Sequence, residues 1–249
     1  PEAEVLEILL RVSPALQALT LHDGGMGEAW EASKWATCVE ALARGVGAAR
    51  NLLTLNLRHF SLSGTAGEAM AAAVCEHGTL TTLRLVNCGL APVALAKMLS
   101  KNKHLTTFAL NDNALPEGQG LEAVARFGGR NVALTSLSLV GCSLSPGAGK
   151  ELAEMVRINT AKGGKLQHLD LSKNNLDADF VTSLAAALQG NTRLTGIDLH
   201  SNSITNQFAK TEADQKALDE LKRAQKEVQL DIARRERGQR RHGRRHVGR

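Results

Sequence analysis

The stretch LQHLDLSKNNL, residues 166–176, places leucine at its first, fourth, sixth and eleventh positions and asparagine at its ninth. Its centre, L-x-L, has the period of two that sends alternate side chains to opposite faces of a strand. The SKNN that follows is turn chemistry. The same frame recurs as LTGIDLHSNSI from 194, LTSLSLVGCSL from 134, LTTFALNDNAL from 105 and LTTLRLVNCGL from 80, and more loosely as LLTLNLRHFSL from 52 and LQALTLHDGGM from 16. The steps between leading leucines are 36, 28, 25, 29, 32 and 28 residues. Seven copies in register are an internal repeat, and the repeat decides the architecture.

Between copies lie segments of helical period: GEAMAAAVCEHG (67–78), VALAKMLSKN (93–102), GKELAEMVRIN (149–159) and VTSLAAALQGN (181–191). In the last, Val181, Leu184, Ala187 and Leu188 fall on one helical face. Several of these segments end in Gly or Asn, which predicts a left-handed residue stopping the helix. Each unit is thus a strand, a turn and a helix. No unit can bury its apolar face alone, so the units must stack. Parallel strands pack about 4.8 Å apart and helices roughly 8–10 Å apart, so the stack curves with strands on its concave side. Composition agrees: apolar residues reach 43% but aromatics only 3%, with no Tyr, which suits thin, similar layers of Leu, Ala and Val.

The leucine frame resembles the leucine-rich repeat family, and a step near 28 with a full helix is similar to its ribonuclease-inhibitor-like class. The resemblance covers residues 16 to about 206. It implies an α/β solenoid, a curved horseshoe of about seven repeats with parallel strands on the concave face, helices on the convex face and helical caps. The expected divisions are an N-terminal capping helix at 1–15, repeats at 16–210, a long helix at 211–237 and an Arg-rich tail at 238–249. The cap rests on EAEVLEILLRV (2–12), amphipathic and stopped by Ser13-Pro14. Within the insertion 24–35, Trp35 shares a helical face with Val39, Leu42 and Val46 and is expected in the core, whereas Trp30 lies off that stripe. The helix from Thr211 would be about 39 Å long. Its Ala217, Leu218 and Leu221 continue the repeat stripe, and Val228 and Ile232 extend the stripe beyond one repeat, as a folded-back cap or as a contact for another protein.

Charge is distributed unevenly. Of 30 Lys and Arg, five lie in 238–249, which holds no acid, so the other 237 residues carry 25 bases against 25 acids. The net charge of +5 therefore belongs to the tail. Arg234, Arg235, Arg237, Arg240, Arg241, Arg244, Arg245 and Arg249 form the expected contact for an anionic surface, since guanidinium pairs bidentately with carboxylate or phosphate. Without interleaved aromatics, base stacking is not expected there, and contact with RNA would be to its backbone.

Cys38, Cys75, Cys88 and Cys142 form no CxxC or zinc spacing, which argues for a reducing, intracellular compartment. No apolar run is long enough to span a membrane, and no signal peptide is evident. The sequence opens on Pro1 rather than Met, which leaves room for residues ahead of it, a removed targeting segment included. Cys88 and Cys142 occupy the asparagine position of their repeats, beside Asn113, Asn174 and Asn202, and two repeats apart are too distant for a disulfide.

Residues flanking the inner leucines point to the concave face. They are mostly small and polar, and the candidates for binding are Asn56, Arg58, Arg84, Asn111, His168, Asp170, Asp198 and His200. The face has no aromatic anchors, so it suits a groove for an extended segment held by polar contacts. Asp170 and Asp198 stand 28 residues apart on adjacent strands, as two solvated carboxylates or an acidic patch for a basic partner group. Ser172 and His200 sit on adjacent strands, but Asp198, two residues before His200, is poorly placed to orient it as a triad requires. No phosphate loop, zincin or nucleophile-elbow motif occurs, and no cofactor, metal or small-molecule substrate is expected.

The expectation is a non-enzymatic interaction or scaffold subunit of a larger intracellular hetero-assembly, its tail docked on an acidic protein, RNA or anionic lipid. A ciliary axoneme in the cytoskeleton and a mitochondrial ribosome are suitable settings, the latter as an RNA-backbone-contacting subunit. Similarity in repeat class to the Ran GTPase-activating protein implies, as an alternative, a regulator of a small GTPase. A long helix after a short repeat domain resembles tropomodulin-like proteins and implies actin capping.

Overall fold

The computed structural model describes residues 2–23, 32–115, 121–122 and 124–204, together with Asp219 and Arg223. Seven strands alternate with helices in these residues: α1 (Glu2–Arg11), β1 (Ala18–His22), α2 (Ala32–Ala48), β2 (Thr54–Arg58), α3 (Gly64–Glu76), β3 (Thr82–Val86), α4 (Pro92–Lys101), β4 (Thr107–Ala109), β5 (Ser136–Ser138), α5 (Gly149–Ala161), β6 (His168–Asp170), α6 (Ala178–Ala187) and β7 (Gly196–Asp198). A π-helical turn, Val124–Gly128, stands between β4 and β5, and a 3-10 turn, Pro146–Ala148, leads into α5.

The strands form one parallel sheet in chain order, β1 to β7. Ala18 pairs with Thr54, Thr54 with Thr82, Thr82 with Thr107, Thr107 with Ser136, Ser136 with His168 and His168 with Gly196. Each partner holds the same place in the leucine frame, so the register is the repeat written in hydrogen bonds. A slip of one residue would turn every inner leucine to solvent. Leu55, Leu57, Leu83, Leu85, Leu137, Leu139, Leu169 and Leu171 are buried between sheet and helices. Trp35 packs against this core, meets Phe60 at a tilt of 43° with 5.3 Å between ring centroids and donates its indole N–H to the Ser61 carbonyl at 3.1 Å.

Two polar ladders hold the layers. The first occupies the asparagine position of the frame. Asn113 accepts from the backbone N–H of Cys88 (2.7 Å) and Gly89 (2.9 Å), and donates to the carbonyls of Leu85 and Leu110 (both 2.8 Å). Asn174 and Asn202 repeat the pattern. Cys88 and Cys142 supply only the donor half, their thiols directed at the Leu57 (3.5 Å) and Leu110 (3.2 Å) carbonyls. Burial pushes these thiols up, to about 11 for Cys88 and about 12 for Cys142. The residue before each ladder position has positive φ: His59 61°, Asn87 50°, Asp112 58°, Gly141 64°, Lys173 58° and Ser201 56°. At Gly141 a Cβ would lie 2.5 Å from Asp112 Oδ1, so a side chain there would have to displace that carboxylate.

The second ladder corrects the expectation for the helix ends. Asn102, just past α4, has φ −69° and ψ 127°, extended rather than left-handed. It stops the helix with its side chain, which accepts from His104 and Leu105 N–H (both 2.8 Å) and donates to the Val74 carbonyl of the preceding repeat at 2.6 Å. Asn131 makes the equivalent contacts, and Asn191 caps the N–H of Arg193 and Leu194 in the same way. Asn159 lies inside α5 and reaches the Gly129 and Asn131 carbonyls. His77 substitutes for asparagine just past α3: it is 5% exposed, and its Nδ1 accepts from Leu80 N–H at 3.1 Å. Among the helix ends named from sequence, only Gly190 (φ 74°) takes the expected left-handed form.

Candidate functional site

The concave face is built by the alternation of the strands. Between the buried leucines, Thr54, Asn56 and Arg58 of β2 stand in register with Thr82, Arg84 and Val86 of β3. Asn56 links two neighbours: its amide donates to Thr20 Oγ1 at 3.0 Å and its oxygen accepts from Arg84 Nη1 at 3.4 Å. One guanidinium nitrogen is thereby tethered while the side chain stays exposed. Asn111, after β4, accepts from Ser138 Oγ at 2.8 Å and points inward to its neighbour rather than outward. The middle of the face is thus small and neutral, with its amide Asn111 already bonded to the Ser138 hydroxyl.

Acidic residues gather at the other end. Asp170 and Asp198 are paired in register on β6 and β7. Each closes a turn over the second residue after it. Asp170 Oδ1 accepts from the backbone N–H of Ser172 at 3.1 Å and from its hydroxyl at 2.7 Å. Asp198 Oδ1 accepts from the backbone N–H of His200 at 3.0 Å and contacts its Nδ1 at 2.6 Å. The backbone N–H of His200 first, then its ring, holds the Asp198 carboxyl below the usual carboxylate range. This corrects the expectation that Asp198 is poorly placed to orient His200: the strand ends at Asp198, and the turn after it brings residue 200 back over the carboxylate. A triad still does not assemble, because Ser172 is 1% exposed and gives its proton to Asp170, not to His200.

Gly196 sits beside His168, where a Cβ would come within 2.8 Å of the imidazole Nδ1. The missing side chain opens a depression of about 250 Å³ lined by Ser136, His168, Asp170 and Asp198 among others. Among the described residues, no cluster of His, Cys, Asp and Glu could hold a metal ion. No helix among them is long and apolar enough to cross a membrane. The face is therefore polarised: Arg58 and Arg84 at β2–β3, polar neutral groups between, Asp170 and Asp198 at β6–β7. Trp30, Val228, Ile232 and the arginines from Arg234 to Arg249 lie outside the described residues.

Sequence reading overlooked the second ladder, although N-x-x-L recurs at 102–105, 131–134 and 191–194 and marks it. It also overlooked the closing turns at Asp170 and Asp198.

A one-sheet parallel solenoid with helices on its outer side is a repeat protein whose exposed strand face offers an extended surface for binding. Its frame defines the kind: this is a leucine-rich repeat protein. The family model described as Leucine Rich Repeat matches residues 165–187, the unit containing the stretch quoted first. The chain is 31% identical over 145 residues to the NACHT, LRR and PYD domains-containing protein 14 of Mus musculus, covering 56% of this chain and 14% of that protein. It is 30% identical over 167 residues to the Tonsoku-like protein of Mus musculus, covering 64% and 12%. The chain thus spans a small part of each relative's length. Among solved structures it is similar to a tropomodulin C-terminal domain of Caenorhabditis elegans (13% identity, TM-score 0.32, 92% of this chain and 97% of that one) and to TLR13 in a TLR13-ssRNA13 complex (16%, 0.41, 81% and 30%). Neither superposition adds to the fold, which rests on the sheet register and the repeat frame. Leucine-rich repeat proteins are typically non-enzymatic interaction modules, and the fold implies a role in protein–protein interaction.

Proposed function

We propose that this chain is a non-enzymatic scaffold subunit, of the ribonuclease-inhibitor-like class, that holds an extended polar segment of a partner protein across its concave face. The polarity of that face carries the reading. From β2 to β6 is four strand spacings, about 19 Å, a span of about six extended residues. A segment with an acidic group near Arg58 and Arg84 and a basic group near Asp170 and Asp198 would satisfy both ends. The small neutral groups between them offer shape without a desolvated anchor, so affinity should be moderate and salt-sensitive. The arginines of 234–249 add a second contact to an anionic surface, either acidic protein or RNA backbone. Within this reading the chain serves a larger intracellular assembly, for which a ciliary axoneme or a mitochondrial ribosome is a suitable setting.

The test is a peptide array of ten-residue segments with acid and base placed about six residues apart in both orders, probed with the chain, with Arg58→Glu/Arg84→Glu and with Asp170→Lys/Asp198→Lys. One charge order should bind the native face, and each double reversal should lose it while the unfolding midpoint stays in place. Equal binding of both orders, or binding indifferent to the reversals, refutes the concave-face reading. Deleting 234–249 should leave the fold intact, weaken partner binding at low salt and make its loss with salt shallower; undiminished binding by the truncated chain refutes the role of the tail.

A further inference from the structure

The helix α1 stands in the same frame as the helices inside the solenoid. Counting back from the leading leucine of the following strand, Leu10 lies six residues ahead of Leu16, as Val46 does of Leu52, Val74 of Leu80, Leu99 of Leu105 and Leu188 of Leu194. All five are buried. Leu6 and Ala3 fall ten and thirteen ahead, matching Leu42 and Val39 in α2. The helix is therefore the helical half of a repeat, not an unrelated cap.

A second set of positions faces the helix before. Seven residues ahead of the leading leucine, α2 has Gly45, whose Cβ would meet Leu10 Cδ1 of α1 at 2.8 Å and Glu7 Cα at 3.1 Å. In α3 the same place is Ala73, which lies 3.8 Å from where a Cβ on Gly47 of α2 would stand. Eight ahead, Arg44 pairs with Glu7 of α1 at 2.9 Å. Eleven ahead, Ala41 and Ala94 are buried. The seventh and eleventh places make a helix face turned to the preceding layer, and the eighth and fourth edge it. In α1 and the residue after it they are Val5, Ile8, Leu9 and Val12, all apolar and exposed at 54%, 56%, 53% and 66%.

A terminal repeat needs a polar outer face. Here the outer face carries four large apolar residues, two of which, Val5 and Leu9, stand at the places the solenoid uses for packing, while Ile8 and Val12 stand where α2 to α4 carry residues such as Arg44, Glu76 and Lys101. Among the described residues the sheet beside it is open too: β1 is the edge strand, and its Leu19 and Leu21 are only half-buried where Leu55 and Leu57 are fully buried. We infer that the N-terminal end of this solenoid is an interior layer, built to receive a further leucine-rich strand–helix unit joined ahead of α1 in the same polypeptide, its strand pairing with β1 and its helix covering Val5, Ile8, Leu9 and Val12. Continuity of frame selects this occupant over a second copy of the chain: a helix at this register needs its own strand immediately before it. The inference is independent of what the concave face binds.

The experiment supplies that unit. A copy of residues 63–90, which runs from the start of α3 past β3, replaces Pro1, so that its last residue takes the place fifteen ahead of Leu16 that Leu90 holds ahead of Leu105. The 249-residue chain and the extended one are compared by thermal unfolding and by mass in solution, each with and without Val5→Glu/Leu9→Lys. That pair adds an i, i+4 Glu–Lys contact, so the helix itself is not weakened. The extended chain should unfold at least about 4 °C higher. The double substitution should erase this gain while leaving the parent midpoint unchanged or slightly raised. A gain that survives the substitution, or no gain, overturns the inference. So does a parent chain that is dimeric and made monomeric by the substitution, which would assign the face to a second copy. A parent chain that loses about 4 °C or more on substitution without changing mass also overturns it, since the face would then be covered by the chain's own residues.

Discussion

Asn113→Ala should cost about 3–4 kcal/mol of folding stability, because it removes both halves of a ladder rung at once. Asn113 is 5% exposed, and its carboxamide accepts from Cys88 and Gly89 N–H while donating to the Leu85, Leu110 and Asn111 carbonyls. Leu110 keeps a partner, since its carbonyl also takes the Cys142 thiol. The two N–H groups of Cys88 and Gly89 lose the acceptor that the side chain supplied, at about 1–3 kcal/mol each, and the lost atoms leave a small void. Asn113→Asp separates the halves: it retains the acceptor but turns a carboxylate toward the carbonyls, so it should cost at least as much at pH 7 and less at pH 4. Exposed Asn175, next to the rung residue Asn174, provides the control, and its change to alanine should cost under about 1 kcal/mol. Urea unfolding followed by circular dichroism and by Trp fluorescence measures all three. If Asn113→Ala shifts stability by less than about 1 kcal/mol, or no more than Asn175→Ala, then the ladder is not what holds the layers in register and the account given for it fails.

His77 tests the second ladder. Among the described residues its buried Nε2 has no partner in hydrogen-bonding geometry, and burial outweighs the nearby Ala49 and Val46 carbonyls in holding the ring below the usual histidine value. The folded state therefore favours the neutral ring; the stability it provides is complete above about pH 6.5 and declines as pH falls toward the folded value. His77→Asn, copying Asn102, should fold at least as stably at pH 7 and should lack the drop of about 1 kcal/mol or less that the parent shows between pH 7 and pH 5.5 in urea midpoints. Thiol labelling with iodoacetamide at pH 8, mapped by peptide mass, should modify the partly buried Cys38 and Cys75 first and reach Cys88 and Cys142 only at the rate of global unfolding; prompt labelling of the last two would contradict their place in the ladder.

The repeat was legible because its period is imposed by packing that cannot vary: each inner leucine has one face to fill, and a one-residue slip loses all of them. Helix ends were less legible. Asn102 fits two stop mechanisms equally well, and only the carbonyl of the preceding layer, which no local reading contains, selects the side-chain cap over the left-handed turn. Asp198 and His200 show the same limit, since alternation along a strand separates residues that the closing turn brings back together. The concave face is legible as positions but not as purpose, because its occupant is fixed by groups on another molecule. The N-terminal helix is the most instructive case. Amphipathic period alone makes EAEVLEILLRV a cap, because Leu10 already accounts for the stripe that docks on the repeats. What a cap does not account for is the second stripe, Val5, Ile8, Leu9 and Val12, and it becomes meaningful only when the structure shows that the same places in α2 and α3 hold Gly45 and Ala73 against a neighbouring helix. Two apolar faces on one helix require two neighbours, and the described solenoid supplies one.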